Sequence, residues 1–190
     1  MIVVSGEPRS GTSMAMLIVR ELGFTIAGKK HPMNKDNNPD GTWEIPGIVM
    51  NGITSNIVEG RLPSISPKIE EECIKLMTCA VCASENALID KIIYCIRIPA
   101  EVIASQLKLA EAQKMDMEVN NELDLFKSYA TSMYNFFTGV IPKYPVLIMN
   151  YNIAIFNPKM IVNAIAEFLG VEATESACGV IKEKYYRNRR

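Results

Sequence analysis

Within its first twenty-two residues the chain sets out a strand, a glycine loop and a helix, and no other feature limits its fold as much. Ile2 to Ser5 is a short apolar run bounded by Gly6, the pattern of a strand buried on both faces. Thr12 to Leu22 then runs without Gly or Pro, carries Met16, Leu17, Arg20 and Glu21 at helical spacing, and stops at Gly23. Between them lies Gly6-Glu7-Pro8-Arg9-Ser10-Gly11. A turn joining a strand end to a helix start aims backbone N–H groups and the positive end of the helix at an anion. Thr12 and Ser13 add hydroxyl donors to the same place.

The rest of the chain repeats the alternation. Strands are expected over Glu72–Met77, Ile92–Ile96 and Val146–Met149, with a further short one over Phe24–Ala27. Helices are expected from Pro99 to about Met115, over Glu122–Phe137, from Pro158 to Gly170 behind the cap Asn157, and over Thr174–Tyr186. A weaker helical pattern covers Trp43–Ile57, and Thr78–Asn86 begins as a helix or turn. Strands alternating with helices predict a three-layer α/β sandwich around a mostly parallel sheet, one domain over residues 1–190.

Composition narrows the partners. A formal net charge of -1 gives no global field to recruit nucleic acid or an anionic membrane, so a bound anion needs a local site. The one dense basic run is Lys182, Lys184, Arg187, Arg189 and Arg190. No apolar stretch approaches the roughly 20 residues of a membrane span, and MIVVSGEPRSG turns polar too soon for a signal peptide. Five cysteines, an odd count without framework spacing, fit a reducing, cytoplasmic setting. Cys79 and Cys82 form a C-x-x-C with no second pair or nearby histidine to complete a zinc site, and read as small hydrophobes.

The loop has the spacing G-x-x-x-x-G-K-S/T, with Thr12 in the lysine position. An ATPase or GTPase uses that lysine on the β- and γ-phosphates; here the cation is Arg9, inside the loop. The string Pro8-Arg9-Ser10-Gly11-Thr12-Ser13 resembles the 5′-phosphosulfate loop of sulfotransferases, where Pro-Lys/Arg-Ser-Gly-Thr-Thr/Ser follows the first strand. The stretch Ile92 to Ser105 resembles the same family's 3′-phosphate motif, with Arg97, Pro99 and Ser105 in register and Ile98 where an Asp is frequent. A third stretch, Val146 to Tyr151 followed by Asn157-Pro158 and Phe168-Leu169-Gly170, resembles the family's C-terminal strand, loop and helix, with Asn152 where an acid is usual.

The resemblance implies a P-loop-like fold of the sulfotransferase type. It implies that 3′-phosphoadenosine 5′-phosphosulfate is held by Pro8, Arg9, Ser10, Gly11, Thr12, Ser13, Arg97 and Ser105, with a small-molecule or glycan acceptor. Sulfuryl transfer needs alignment, charge neutralisation and removal of the acceptor's proton. Arg9 is the expected partner of the leaving oxygen, and Lys75 a second cation. Two residues compete for the base. Glu44, beside the only tryptophan, lies in Asn38-Pro39-Asp40-Gly41-Thr42-Trp43-Glu44, which resembles an NPxGYWE segment of bacterial sulfotransferase-like proteins. His31 is the sole histidine, in the loop before it. The cytosolic small-molecule enzymes place a histidine just after a strand lysine, where this chain has Met77 or Thr78. Two other readings stay open: a small-molecule kinase on the same scaffold, and a nucleotide-binding module without turnover.

Overall fold

The computed structural model describes residues 1–28, Trp43, 72–82, 89–112 and 122–183. Four strands, β1 (Ile2–Gly6), β2 (Cys73–Met77), β3 (Lys91–Ile96) and β4 (Val146–Asn150), form one fully parallel sheet in the order β2-β1-β3-β4. β1 and the first four residues of β2 are buried throughout, as parallel strands covered on both faces must be. The expected strand over Phe24–Ala27 is reduced to one bridge, Ile26 to Cys73.

Alternation along the strands divides the core in two. Val4, Cys73, Ile93, Cys95 and Met149 face α1 (Thr12–Glu21), α6 (Pro158–Leu169) and α7 (Glu175–Gly179). Val3, Ile74, Leu76, Ile92 and Tyr94 face α2 (Thr78–Cys82) and α4 (Glu122–Gly139). There the Tyr94 and Phe136 rings stack with centroids 3.5 Å apart. The result is the expected helix–sheet–helix sandwich. Phe136 is fully buried against the sheet, and the adjacent Phe137 points outward at 43% exposure.

Caps set several boundaries. The Asn157 side chain accepts from the Met160 N–H at 3.2 Å, with Pro158 in the first turn, and Gly170 ends α6 in the left-handed region. Asn150 likewise accepts from the Ile153 N–H at 3.1 Å and starts α5 (Tyr151–Phe156), a helix the sequence pattern did not mark. The terminal helix is shorter than expected: α7 stops at Gly179, before β-branched Val180 and Ile181. α3 (Pro99–Ala112) follows β3 directly.

The strand order places the site. From β1 the chain moves outward to β2, then returns to β3 on the other side of β1 and continues to β4. The neighbours β1 and β3 therefore lead away in opposite directions, and the crevice beyond their C-terminal ends is the switch point where ligands bind in open α/β sheets. The loop after Gly6 and the segment starting at Arg97 flank that crevice.

Candidate phosphate-binding site

The loop is held in a shape only a few residue types permit. Gly6 has φ +148°, and a Cβ there would lie 2.6 Å from both the Cys95 carbonyl and Ser10 Oγ. Gly11, the N-cap of α1, has φ +106°, and a Cβ there would lie 2.6 Å from Tyr151 Cδ2. Arg9 itself sits at φ 75°, a strained value for a non-glycine residue. Gly11 provides no side-chain cap and the first turn of α1 contains no acid, so the helix end offers its N–H groups and positive pole to an anion. The Ser10 N–H donates to the Glu7 carbonyl at 3.1 Å, closing the turn. Ser10 Oγ is buried, with no hydrogen-bond partner among the described residues.

The two motifs, almost a hundred residues apart, meet here. Arg9 Nε donates to Ser105 Oγ at 2.9 Å, and Arg97 Nη1 reaches the Arg9 carbonyl at 3.4 Å. Gln106 Nε2 donates to the Pro8 carbonyl at 3.1 Å. Arg97 is 8% exposed and sits at the end of β3. Its Nε donates to Glu101 Oε2 at 2.8 Å, and its guanidinium lies 4.6 Å from the Tyr151 ring centroid. Tyr129 Oη donates to the Arg97 carbonyl at 3.2 Å. Asn152 completes the group: its Nδ2 donates to Glu101 Oε2 at 3.1 Å, and its Oδ1 accepts from the Ile98 N–H at 3.2 Å. A second carboxylate at position 152 would face Glu101, whereas the amide donates to it.

The other expected residues are placed differently. Thr12 is buried at the start of α1, with Ser13 half-buried beside it. Lys75 stands in the middle of β2 opposite Val4, 5% exposed on the α1 face, where its charge is felt by the Cys95 thiol. Burial outweighs that charge and drives the Cys95 thiol far above its ordinary range. Glu44 and His31 lie outside the described residues. Trp43, the neighbour on which the Glu44 expectation rests, packs over Arg20 with 5.2 Å between guanidinium and ring. Arg20 is about two turns along α1 from the loop. Cys79 is exposed and Cys82 half-buried, not the core residues expected, and burial raises both thiols. Among the described residues no cluster could hold a metal ion.

Sequence reasoning missed Glu101, Tyr151, Asn152 and Glu7. Glu101 follows Arg97 at i+4, a spacing that signals a pair; Glu7 lies within the loop itself, and Tyr151 and Asn152 become neighbours of the site only through the fold. Glu7 follows β1 directly and is half-buried. The hydroxyls of Thr78 and Ser132 donate to its carboxyl, but burial prevails and raises its pKa.

A parallel α/β sandwich with a glycine loop at its switch point, an uncapped helix end and two converging arginines has the arrangement that suits an anion such as phosphate. The chain belongs to the sulfotransferase family: the family's sulfotransferase domain matches residues 1–189. Solved structures share the fold at low identity. The sulfotransferase domain from the curacin biosynthetic pathway has a TM-score of 0.58 at 15% identity, covering 96% of this chain and 77% of that one. Retinol dehydratase in complex with androsterone and the inactive cofactor PAP has a TM-score of 0.52 at 17% identity, covering 97% of this chain and 63% of that one. The sulfotransferase domain of the Synechococcus PCC 7002 olefin synthase has a TM-score of 0.50 at 18% identity, covering 94% and 75%. No curated protein matches the chain.

Proposed function

We propose that the protein transfers a sulfuryl group from 3′-phosphoadenosine 5′-phosphosulfate to a hydroxyl or amine of a small-molecule or glycan acceptor, in a cytoplasmic setting. The observation that carries this reading is the contact between its two halves: Arg9 from the loop donates to Ser105, and Arg97 reaches the Arg9 backbone. A donor with phosphate at both its 5′ and 3′ positions needs two anion sites at a fixed spacing, and this contact supports such a pair. The fit rests on the N-terminus of α1, the buried Ser10 hydroxyl without a partner among the described residues, and the glycine positions that leave no room for a side chain.

In this reading Pro8 to Ser13 hold the 5′-phosphosulfate, and Arg97 with Ser105 the 3′-phosphate. The bound donor supplies an activated sulfuryl group; the chain's part is to align it, neutralise charge at the leaving oxygen through Arg9, and receive the acceptor's proton. In the same reading Lys75, buried in the middle of β2 opposite Val4, is a second cation. The family match and the arginine within the loop favour this transfer over phosphoryl transfer from ATP.

Isothermal calorimetry with adenosine 3′,5′-bisphosphate tests the site. Binding in the micromolar range, on the order of -8 kcal/mol, is expected without magnesium. Binding that is absent, or strictly dependent on magnesium, counts against the reading. Transfer of label from the sulfate donor to a panel of hydroxyl and amine acceptors tests the activity.

A further inference from the structure

Helix α4 carries apolar residues on two faces. Its buried residues are Tyr129 and Phe136: Phe136 stacks on Tyr94, and Tyr129 Oη donates to the Arg97 carbonyl at 3.2 Å. A second set points to solvent. Leu123, Phe126, Tyr134 and Phe137 are 55%, 48%, 68% and 43% exposed, and Ala130 among them is exposed too. At 3.6 residues per turn these five fall within one arc of about 80°, roughly a third of a turn from the buried pair. The remaining arc is polar, with Asp124, Lys127, Thr131, Asn135 and Thr138 exposed and Lys127 paired to Asp124 at 3.5 Å. A helix packed on one side needs one apolar face and one polar face. The extra apolar stripe, about 21 Å long, calls for an occupant.

The spacing of the stripe selects that occupant. About Ala130 as centre, Leu123 and Phe137 lie seven residues to either side, and Phe126 and Tyr134 lie four. A pattern that reads the same in both directions matches itself when a second copy is laid antiparallel across it, as a two-fold axis through Ala130 would do. Leu123 then meets Phe137 of the second copy, Phe126 meets Tyr134, and the two alanines face each other where the helices cross. The steps between the five residues average about 3.5, the period of a helix–helix seam. The antiparallel arrangement also sets the two helix dipoles in opposition.

Area and order agree with this. With about 150–250 Å² for each aromatic side chain, the measured exposures amount to roughly 400 Å² of apolar surface per copy. Apolar surface makes up about 65% of a homodimer interface, so two copies imply about 1,200 Å² in all, the lower bound of specific interfaces. Aromatic anchors inside a polar rim are the expected composition. Phe137 is ordered beforehand: its ring stands edge-on to Phe136, with centroids 6.0 Å apart at 84°, which reduces the entropy lost on association.

We propose that the protein forms a two-fold symmetric dimer through this stripe of α4, with Ala130 at the axis. The dimer stands or falls independently of sulfuryl transfer.

Sedimentation velocity of the full chain over about 1–100 µM, the range suited to an interface of this size, tests it. A monomer–dimer equilibrium is expected, and a protein that stays monomeric throughout overturns the proposal. Tyr134→Ala is expected to weaken the dimer by about 30-fold or more, because each copy loses an anchor. Ala130→Glu is expected to abolish it by setting two like charges at the axis, and Thr131→Glu, on the polar face, to leave it unchanged. These positions are exposed, so the fold is expected to persist, which thermal melting by circular dichroism checks. Ala130→Cys reports the register. Helix axes about 8 Å apart bring its two thiols within disulfide reach, so oxidised glutathione is expected to yield a covalent dimer above the wild-type level. Asn135→Cys, on the polar face, is expected to yield none. If Thr131→Glu weakens the dimer as much as Tyr134→Ala does, or Asn135→Cys cross-links as readily as Ala130→Cys, the interface lies elsewhere and the proposal fails. A monomeric protein in which Tyr134→Ala impairs sulfate transfer would give the stripe to the acceptor, and overturns the dimer equally.

Discussion

Arg97 is gripped by the fold before any ligand arrives. It bonds to Glu101, reaches the Arg9 carbonyl and lies against Tyr151. Removing it strands a fully buried carboxylate, so Arg97→Ala is expected to cost about 3–5 kcal/mol in urea denaturation. Replacing both partners, Arg97→Met with Glu101→Met, is expected to recover most of that loss, since buried pairs exchange for apolar groups at little cost. The double variant then serves for binding: it is expected to weaken adenosine 3′,5′-bisphosphate by roughly 10- to 150-fold, the equivalent of one charge-assisted bond, and to leave adenosine 5′-phosphosulfate nearly unchanged. Equal loss for both ligands would make Arg97 structural only.

Glu7 carries a second prediction at this scale, independent of turnover. Its pKa is raised in the folded chain chiefly by burial, so the folded state binds its proton more tightly than the unfolded state does. The stability this contributes is full below the ordinary carboxyl value and is lost as pH rises through the raised folded value. Glu7→Gln should therefore show a flatter fall in stability over that window than wild type, measured by denaturation at a series of pH values. Parallel curves would mean that burial leaves no net preference for the protonated form.

At the scale of elements, α5 matters most, because its first residue braces the loop. The Tyr151 ring faces Gly11 on one side and Arg97 on another. Gly11→Ala would place a methyl group against that ring at a positive φ, and both effects oppose it. Its expected loss is a few kcal/mol, and Tyr151→Ala, at a buried aromatic, loses about 3–5 kcal/mol. The double variant should lose clearly less than the sum, because the methyl occupies space the ring has vacated. Strict additivity would show that the two do not meet. The sequence marks Tyr151 only as the end of a strand. Asn150 was the available signal, a cap side chain accepting from Ile153, but a six-residue helix is too short for periodicity to register.

For the whole molecule, nucleotide binding and stability are coupled. A ligand at 100 times its dissociation constant stabilises by about 2.7 kcal/mol, which for a chain of this size raises Tm by roughly 5–10 °C. Adenosine 3′,5′-bisphosphate should produce that shift in wild type and a much smaller one in Arg97→Met/Glu101→Met. A shift of the same size in both would move the 3′-phosphate away from Arg97.

The sequence by itself determined the layer order and marked the two motifs that the fold brings together. Buried parallel strands read as unbroken apolar runs, as in Ile2 to Ser5 and Ile92 to Ile96, and the glycine loop announces itself because φ-positive turns and close backbone approaches admit few residues. Helix ends carried by side-chain caps, such as Asn157 with Pro158, were equally legible because capping is local chemistry. Only the tertiary structure decided which side chains meet. Arg9 with Ser105, Asn152 with Glu101, Tyr151 with Gly11 and Glu7 with Thr78 and Ser132 are distant in the chain, and the strand order β2-β1-β3-β4 draws them to one crevice. Burial, which raises Glu7 and encloses Glu101 with Arg97, is a property of that packing and not of any local string of residues.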